Sequence, residues 1–158
     1  MTLGSLLSED QIIPEMKATE RWAAIVELID LLVQKGRVRT SDRDSVLAAL
    51  RQREETMSTG IGFGIAIPHA SSNCVGDVVA AFGRSSTGIE FDSLDDSPVG
   101  FIVLFVVPKD QFQVHLRTLA AIAKFLNDKT IREQLAKAES SEEILGIFDN
   151  KASRPQAK

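Results

Sequence analysis

Two histidines stand in this chain of 158 residues, and the first is surrounded by residues arranged for chemistry. His69 closes the run Ser58-Thr59-Gly60-Ile61-Gly62-Phe63-Gly64-Ile65-Ala66-Ile67-Pro68-His69. Three glycines at spacing two give the backbone freedom and let it approach another group closely. Ile65-Ala66-Ile67 read as a short strand that Pro68 stops, because proline has no N–H for a ladder. The imidazole is therefore expected at a strand end, where open α/β sheets commonly place their ligand groups. With an ordinary pKa of about 6.5, much of such a ring is neutral near pH 7 and able to take a group covalently and pass it on. Phosphoryl transfer suits this design, since it needs in-line placement and groups that neutralise the equatorial oxygens. His115, Arg53, Ser58 and Thr59 are the candidates to supply those groups.

Each candidate has a plainer reading. His115, in Gln113-Val114-His115-Leu116-Arg117, has Leu119 and Ile122 on its face and is expected to be half-buried, where a histidine most often packs or hydrogen-bonds. Arg53 reads equally as a helix-end cation favoured by the dipole, and Ser58 and Thr59 as turn residues. The glycine run fails both nucleotide fingerprints: the third glycine of the dinucleotide spacing is missing, and no Gly-Lys-Ser/Thr follows. Two histidines without a third ligand at a recognised spacing make a weak metal site. Cys74 has no neighbour that marks an activated thiol and reads as a small loop residue. The scheme calls for no metal and no cofactor.

Composition narrows the class. Hydrophobic residues at 44% and charged residues at 25% are the ordinary globular mixture. A formal charge of −4 and a pI near 5.2 argue against nucleic acid as a partner, which requires a basic face. A single cysteine excludes an internal disulfide framework and fits a reducing compartment. The N-terminus lacks the features of a signal peptide, and the longest apolar run, Phe101 to Val107, is too short to cross a bilayer. A cytoplasmic protein without direct membrane insertion is expected.

The positioning elements follow from periodicity. Trp22, Ile25, Val26, Ile29, Leu32 and Val33 lie at helical spacing, predicting a helix from Glu20 to Lys35 with Thr19 as its cap and Gly36 just past its end. A second helix is predicted from Ser41, through a capping-box-like opening, toward Arg53. Asp77 to Phe82 reads as a strand, Gly88 to Phe91 as a short edge strand or turn, and the unalternating run Phe101 to Val107 as a strand buried on both faces. A third helix is expected from Gln111 to Asn127 with Asp110 as cap, then two short ones opened by capping boxes at Thr130 and Ser140. The whole predicts one α/β domain over residues 1–150, a mixed β-sheet flanked by helices on both faces, and a disordered tail over 151–158.

The glycine and histidine motif, Val106-Val107-Pro108 and His115-Leu116-Arg117-Thr118-Leu119-Ala120 together resemble the enzyme IIA domain of the fructose/mannitol class of the bacterial phosphoenolpyruvate-dependent phosphotransferase system. The resemblance extends to stand-alone nitrogen-regulatory relatives and covers about Leu6 to Phe148. It implies that His69 accepts a phosphoryl group from the phosphocarrier protein HPr on Nε2, that His115 positions that group, and that Arg53 lies near it. It further implies transfer to a cysteine of an enzyme IIB domain for sugar uptake or, in nitrogen-type members, binding of regulatory target proteins according to phosphorylation state. Phe63 stands where mannitol-like members carry an acidic residue, which points away from mannitol. Around His69 the surface is expected to be apolar, with Ile61, Phe63 and Ala70 at its rim.

Overall fold

The computed structural model describes residues 6–56 and 58–149; the tail expected over 151–158 lies outside them. Strand β6 (Val99–Pro108) forms the middle of the molecule, and its sequence explains why. Ile102, Leu104 and Val106 point to one face of the sheet and Val103 and Phe105 to the other, all essentially without solvent exposure. A strand covered on both sides has no polar face to alternate with. Strand β5 (Val79–Ile89) runs antiparallel to it, pairing Phe82 with Val103, while β1 (Ile12–Ile13) lies parallel to β5 at the far edge.

On the other side of β6 the sheet is built from short pieces. Strands β3 (Ile65–Ala66) and β4 (His69–Ser72) both pair with β6 in parallel, one after the other, and β2 (Gly60–Gly62) pairs antiparallel with β3. The predicted mixed sheet is thus observed, with two differences at its edge. Part of the glycine run is strand rather than loop, turning through Gly62, Phe63 and Gly64, all at positive φ. Pro68 divides two strands, so His69 begins β4 instead of ending β3. Without an N–H, proline breaks the ladder for only a step. The Pro68 carbonyl still accepts from Phe105 N at 3.0 Å, and β4 picks up the pairing at once.

Two layers of helix cover the sheet. Helices α1 (Arg21–Gln34) and α2 (Arg43–Thr56) pack Ile25, Leu28, Ile29, Leu32, Val46 and Leu50 on one face. On the other, α3 (Phe112–Leu126), α4 (Lys129–Lys137) and α5 (Ser141–Asp149) bring Ile122, Phe125, Leu126, Leu135, Ile144 and Phe148 against Phe82 and Phe105. None of these helices is long and apolar enough to cross a membrane. Strand β5 runs through Gly83 without a break, and that glycine lies under Met16, whose sulfur a Cβ there would strike.

Several caps differ from expectation. Glu20, not Thr19, caps α1, its carboxylate accepting from Trp22 N and Ala23 N. A 3-10 turn over Thr40–Asp42 precedes α2 in place of the Ser41 box. Asp128 caps α4, whereas Ser140 caps α5 as expected, accepting from Glu143 N at 3.1 Å. The turn Lys109–Gln111 leads into α3, and neither Asp110 nor Gln111 gives it a side-chain cap.

Candidate functional site

The cleft begins with the break at Pro68. Because β4 starts at His69 and pairs only with β6, its outer side is open, and α2 and the turn into α3 close around it. Ala49, Gln52, Arg53 and Thr56 from α2, His69, Ala70 and Ser71 from β4, and Lys109 and Phe112 line a cleft of about 330 Å³. His69 is half-buried, its ring stacked on Phe112 with centroids 6.4 Å apart and planes 22° from parallel.

The state of the ring can be read from its bonds. Nδ1 lies 2.8 Å from the carbonyl oxygen of Ile67, and a carbonyl can only accept, so Nδ1 carries the proton. Nε2 is left with its lone pair and no hydrogen bond among the described residues. Burial holds the pKa below the ordinary 6.5; the Arg53 charge pushes the same way, and the bond to Ile67 works against both. A neutral, oriented imidazole with one free nitrogen is a nucleophile.

Arg53 lies in the last turn of α2, half-buried, close enough to lower both the His69 pKa and that of Glu54. Glu54 is the residue the sequence reading missed. Its side chain has no solvent exposure, lies 3.7 Å from the Arg21 guanidinium, and accepts from Thr59 N at 3.2 Å and from the Thr59 hydroxyl. Burial raises its pKa, opposed by the Thr59 bonds and the Arg21 and Arg53 charges. The signal was present: Val46, Leu50 and Glu54 are spaced by four, so a carboxylate follows two apolar residues on the buried stripe of α2.

That clamp decides where Ser58 and Thr59 point. The Thr59 hydroxyl donates to Glu54, while the Ser58 hydroxyl donates to Phe91 O at 2.9 Å and accepts from Gly60 N. Both are bonded within the fold, and neither is among the residues lining the cleft. His115, 5% exposed, lies one turn along α3 from Phe112; it is likewise not among the residues lining the cleft, and among the described residues its Nδ1 has no hydrogen-bond partner. Among the described residues no group of three or more His, Cys, Asp or Glu is placed to hold a metal.

Residues 5–151 match the model of a family described as "Phosphoenolpyruvate-dependent sugar phosphotransferase system, EIIA 2". The chain belongs to that family. It is 42% identical over 125 residues to the fructose-specific EIIA component of Haloferax volcanii, covering 79% of this chain and 80% of that one. The crystal structure of nitrogen regulatory protein IIA-Ntr from Neisseria meningitidis superposes with a TM-score of 0.84 at 32% identity, covering 92% of this chain and 98% of that one. The complex of mannitol enzyme IIA with phosphorylated enzyme IIB from Escherichia coli shares the fold, with a TM-score of 0.76 at 22% identity over 90% of this chain and 96% of that one.

The surface of this EIIA member carries five exposed large apolar side chains among the described residues. Phe63 at 64% and Ile61 at 40% are on the β2–β3 hairpin, Leu94 at 69% is on the loop bonded to it, and Val114 and Leu116 are on α3. Ala70 does not join them, being only 6% exposed with its methyl in the core against α2. An alternating strand sends the residue after His69 to the opposite face.

Proposed function

We propose that this protein is a cytoplasmic phosphoryl carrier that takes the group from phospho-HPr onto Nε2 of His69. The observation that supports the reading is the Nδ1–H bond to Ile67 O, which sets the tautomer and leaves the Nε2 lone pair unengaged on a residue that lines the cleft. The Nε2 lone pair forms the new N–P bond as the donor's N–P bond breaks, its electron pair staying on the HPr nitrogen. The Ile67 carbonyl supports the positive charge that develops on the ring. Arg53 offsets charge on the equatorial oxygens, and His115 donates a hydrogen bond to one of them; its unpartnered Nδ1 supports that role. The N-terminus of α3, uncapped and joined to the site through Phe112, favours an anion there. Ser58 and Thr59 then act on the phosphoryl group only indirectly, by holding the turn that follows α2.

The group passes on to a cysteine of an enzyme IIB domain, a reading supported by the mannitol IIA of the same fold solved with its phosphorylated IIB. The exposed side chains of Phe63, Leu94 and Val114 give such partners a surface for brief docking. Likeness to a IIA-Ntr protein over nearly its whole length supports a second reading, in which the phosphorylation state of His69 selects a regulatory target.

Intact mass after incubation with phosphoenolpyruvate, enzyme I and HPr tests the carrier reading. One acid-labile phosphoryl group should appear on the wild type and none on His69→Ala; no gain on wild type with an active HPr would overturn it. Onward transfer to a IIB cysteine separates the sugar-uptake reading from phosphorylation-dependent capture of a regulator.

A further inference from the structure

A phosphoryl group on an imidazole nitrogen carries close to two negative charges near neutral pH, so the groups around His69 must offset more than one charge. Arg53 also acts on the buried Glu54 carboxylate. The cleft holds a second cation. Lys109 lines it from the turn that leads into α3, on the wall that also carries Phe112, while Arg53 lines it from α2. No aspartate or glutamate is among the lining residues.

Lys109 is also unspent. It is exposed, and among the described residues it makes no hydrogen bond and has no carboxylate within 4.0 Å. Lys109 borders both this cleft and an adjoining depression that it shares with Ser72, Asn73, Asp110 and Gln111, and of the pair Lys109 and Asp110 only the lysine lines the cleft of His69. A lysine carries its three donors on a flexible four-carbon stem and can follow a group that arrives and leaves. Its backbone follows Pro108, which pairs with Ser72 three residues along β4 from His69. Phe112, three residues beyond Lys109, stacks on the ring, so the long side chain has to reach back along the cleft to meet the acceptor.

We propose that Lys109 is a ligand of the phosphoryl group on His69, bonding its oxygens from the wall facing Arg53. The proposal rests on the phosphoryl-carrier reading above and adds to it a group that sets how strongly this chain holds its cargo. In the transfer a PO3 unit moves between two imidazole nitrogens, one N–P bond replacing another with no net gain of protons or electrons by the pair. The equilibrium position therefore reports which protein stabilises the phosphoryl group better, and a cation bound only to the phosphorylated form pulls it toward this chain.

That equilibrium separates binding of the group from docking of the donor. A residue that only helps HPr to dock changes forward and reverse rates by the same factor and leaves the constant untouched. The experiment measures the ratio of phosphorylated to free forms of this protein and of HPr at equilibrium, by intact mass, for wild type and Lys109→Gln, Lys109→Glu and Lys109→Arg. A partly exposed charge-assisted bond is worth about three- to tenfold, so Lys109→Gln should lower the constant by that factor. Lys109→Glu should lower it further, and Lys109→Arg should stay within about twofold of wild type. Thermal melts of the unphosphorylated proteins should coincide. An unchanged constant in Lys109→Gln, even with slowed transfer, makes Lys109 a docking residue and overturns the proposal. A wild type that takes no phosphoryl group at all instead overturns the carrier reading, and the proposal with it.

Discussion

Glu54 and His115 are both buried near the cleft, and the fold treats them in opposite ways. Glu54 is saturated: Thr59 supplies a backbone N–H and a hydroxyl, and Arg21 lies 3.7 Å away. His115 is equally dry, yet among the described residues its Nδ1 has no partner. An unpaired buried polar atom costs about 1–3 kcal/mol, and native folds rarely keep one without a use. Glu54 holds the structure in place, setting the end of α2 and the turn that starts the glycine run. His115 is in the proposed reading a donor whose acceptor arrives with the cargo. In that reading, satisfaction of hydrogen bonds rather than burial distinguishes Glu54 from His115.

The two residues should therefore fail differently. Replacing His115 by leucine removes a donor to the phosphoryl group and should cut the rate of transfer from phospho-HPr by about 100- to 1000-fold, as loss of one preorganised donor does elsewhere. Stability should change by less than about 1 kcal/mol, since an apolar side chain replaces an unsatisfied one. Replacing Glu54 by alanine leaves Thr59 and Arg21 without their partner and should cost about 2–4 kcal/mol in urea unfolding. If His115→Leu unfolds the protein while Glu54→Ala melts normally, the assignment of roles is reversed.

A pH profile sharpens the contrast by isolating His69. Its folded pKa lies below the ordinary 6.5, so between the two values the unfolded chain binds the proton and the native one does not. Stability from this group is therefore complete above about pH 6.5 and falls as pH drops toward the folded value. The acid limb of the transfer rate should accordingly lie below pH 6.5, where the ring becomes protonated and Nε2 loses its lone pair. Arg53→Gln removes a charge that lowers this pKa, so the limb should move to higher pH as the rate falls. A limb that stays in place with Arg53 gone would mean that the guanidinium acts on the cargo alone.

How much of this was legible in the chain depended on whether a signal was local. The helices and β6 follow from spacing, and His69, the nucleophile of the proposed reading, from a glycine run ending at a histidine. What spacing missed were partners chosen in three dimensions. Glu20 takes the cap expected of Thr19 because its longer side chain reaches two N–H groups of α1. Thr59 turns inward because a carboxylate five residues earlier lies on the buried stripe of α2. Pro68 ends the pairing of β3 but not that of the sheet, since β6 is long enough to take up β4 beyond it. Lys109, exposed and next to an aspartate, carries no mark in the sequence; only the juxtaposition of β4 with the start of α3 brings it to the cleft.

Phe63 tests whether the distinction between scaffold and working part extends to the surface. It is 64% exposed at φ 58, between two glycines that also have positive φ, with its N–H bonded to Asp95 at 3.0 Å and Arg132 5.3 Å above its ring. A left-handed conformation costs a side chain with a Cβ about 1–2 kcal/mol, which glycine would avoid. Against that relief, glycine loses the contact with Arg132, about 0.5–1 kcal/mol at an exposed position, and a similar amount to the freer unfolded chain. These effects nearly cancel, so Phe63→Gly should alter stability by no more than about 0.5 kcal/mol. A phenylalanine that the fold does not need, held outward on a hairpin, is then explained by docking. The variant should lower kcat/KM for phospho-HPr several-fold and leave the equilibrium constant of transfer unchanged, the opposite of the pattern expected for Lys109→Gln. If kcat/KM is unaffected, partners dock elsewhere, and the exposed ring has no account in this site.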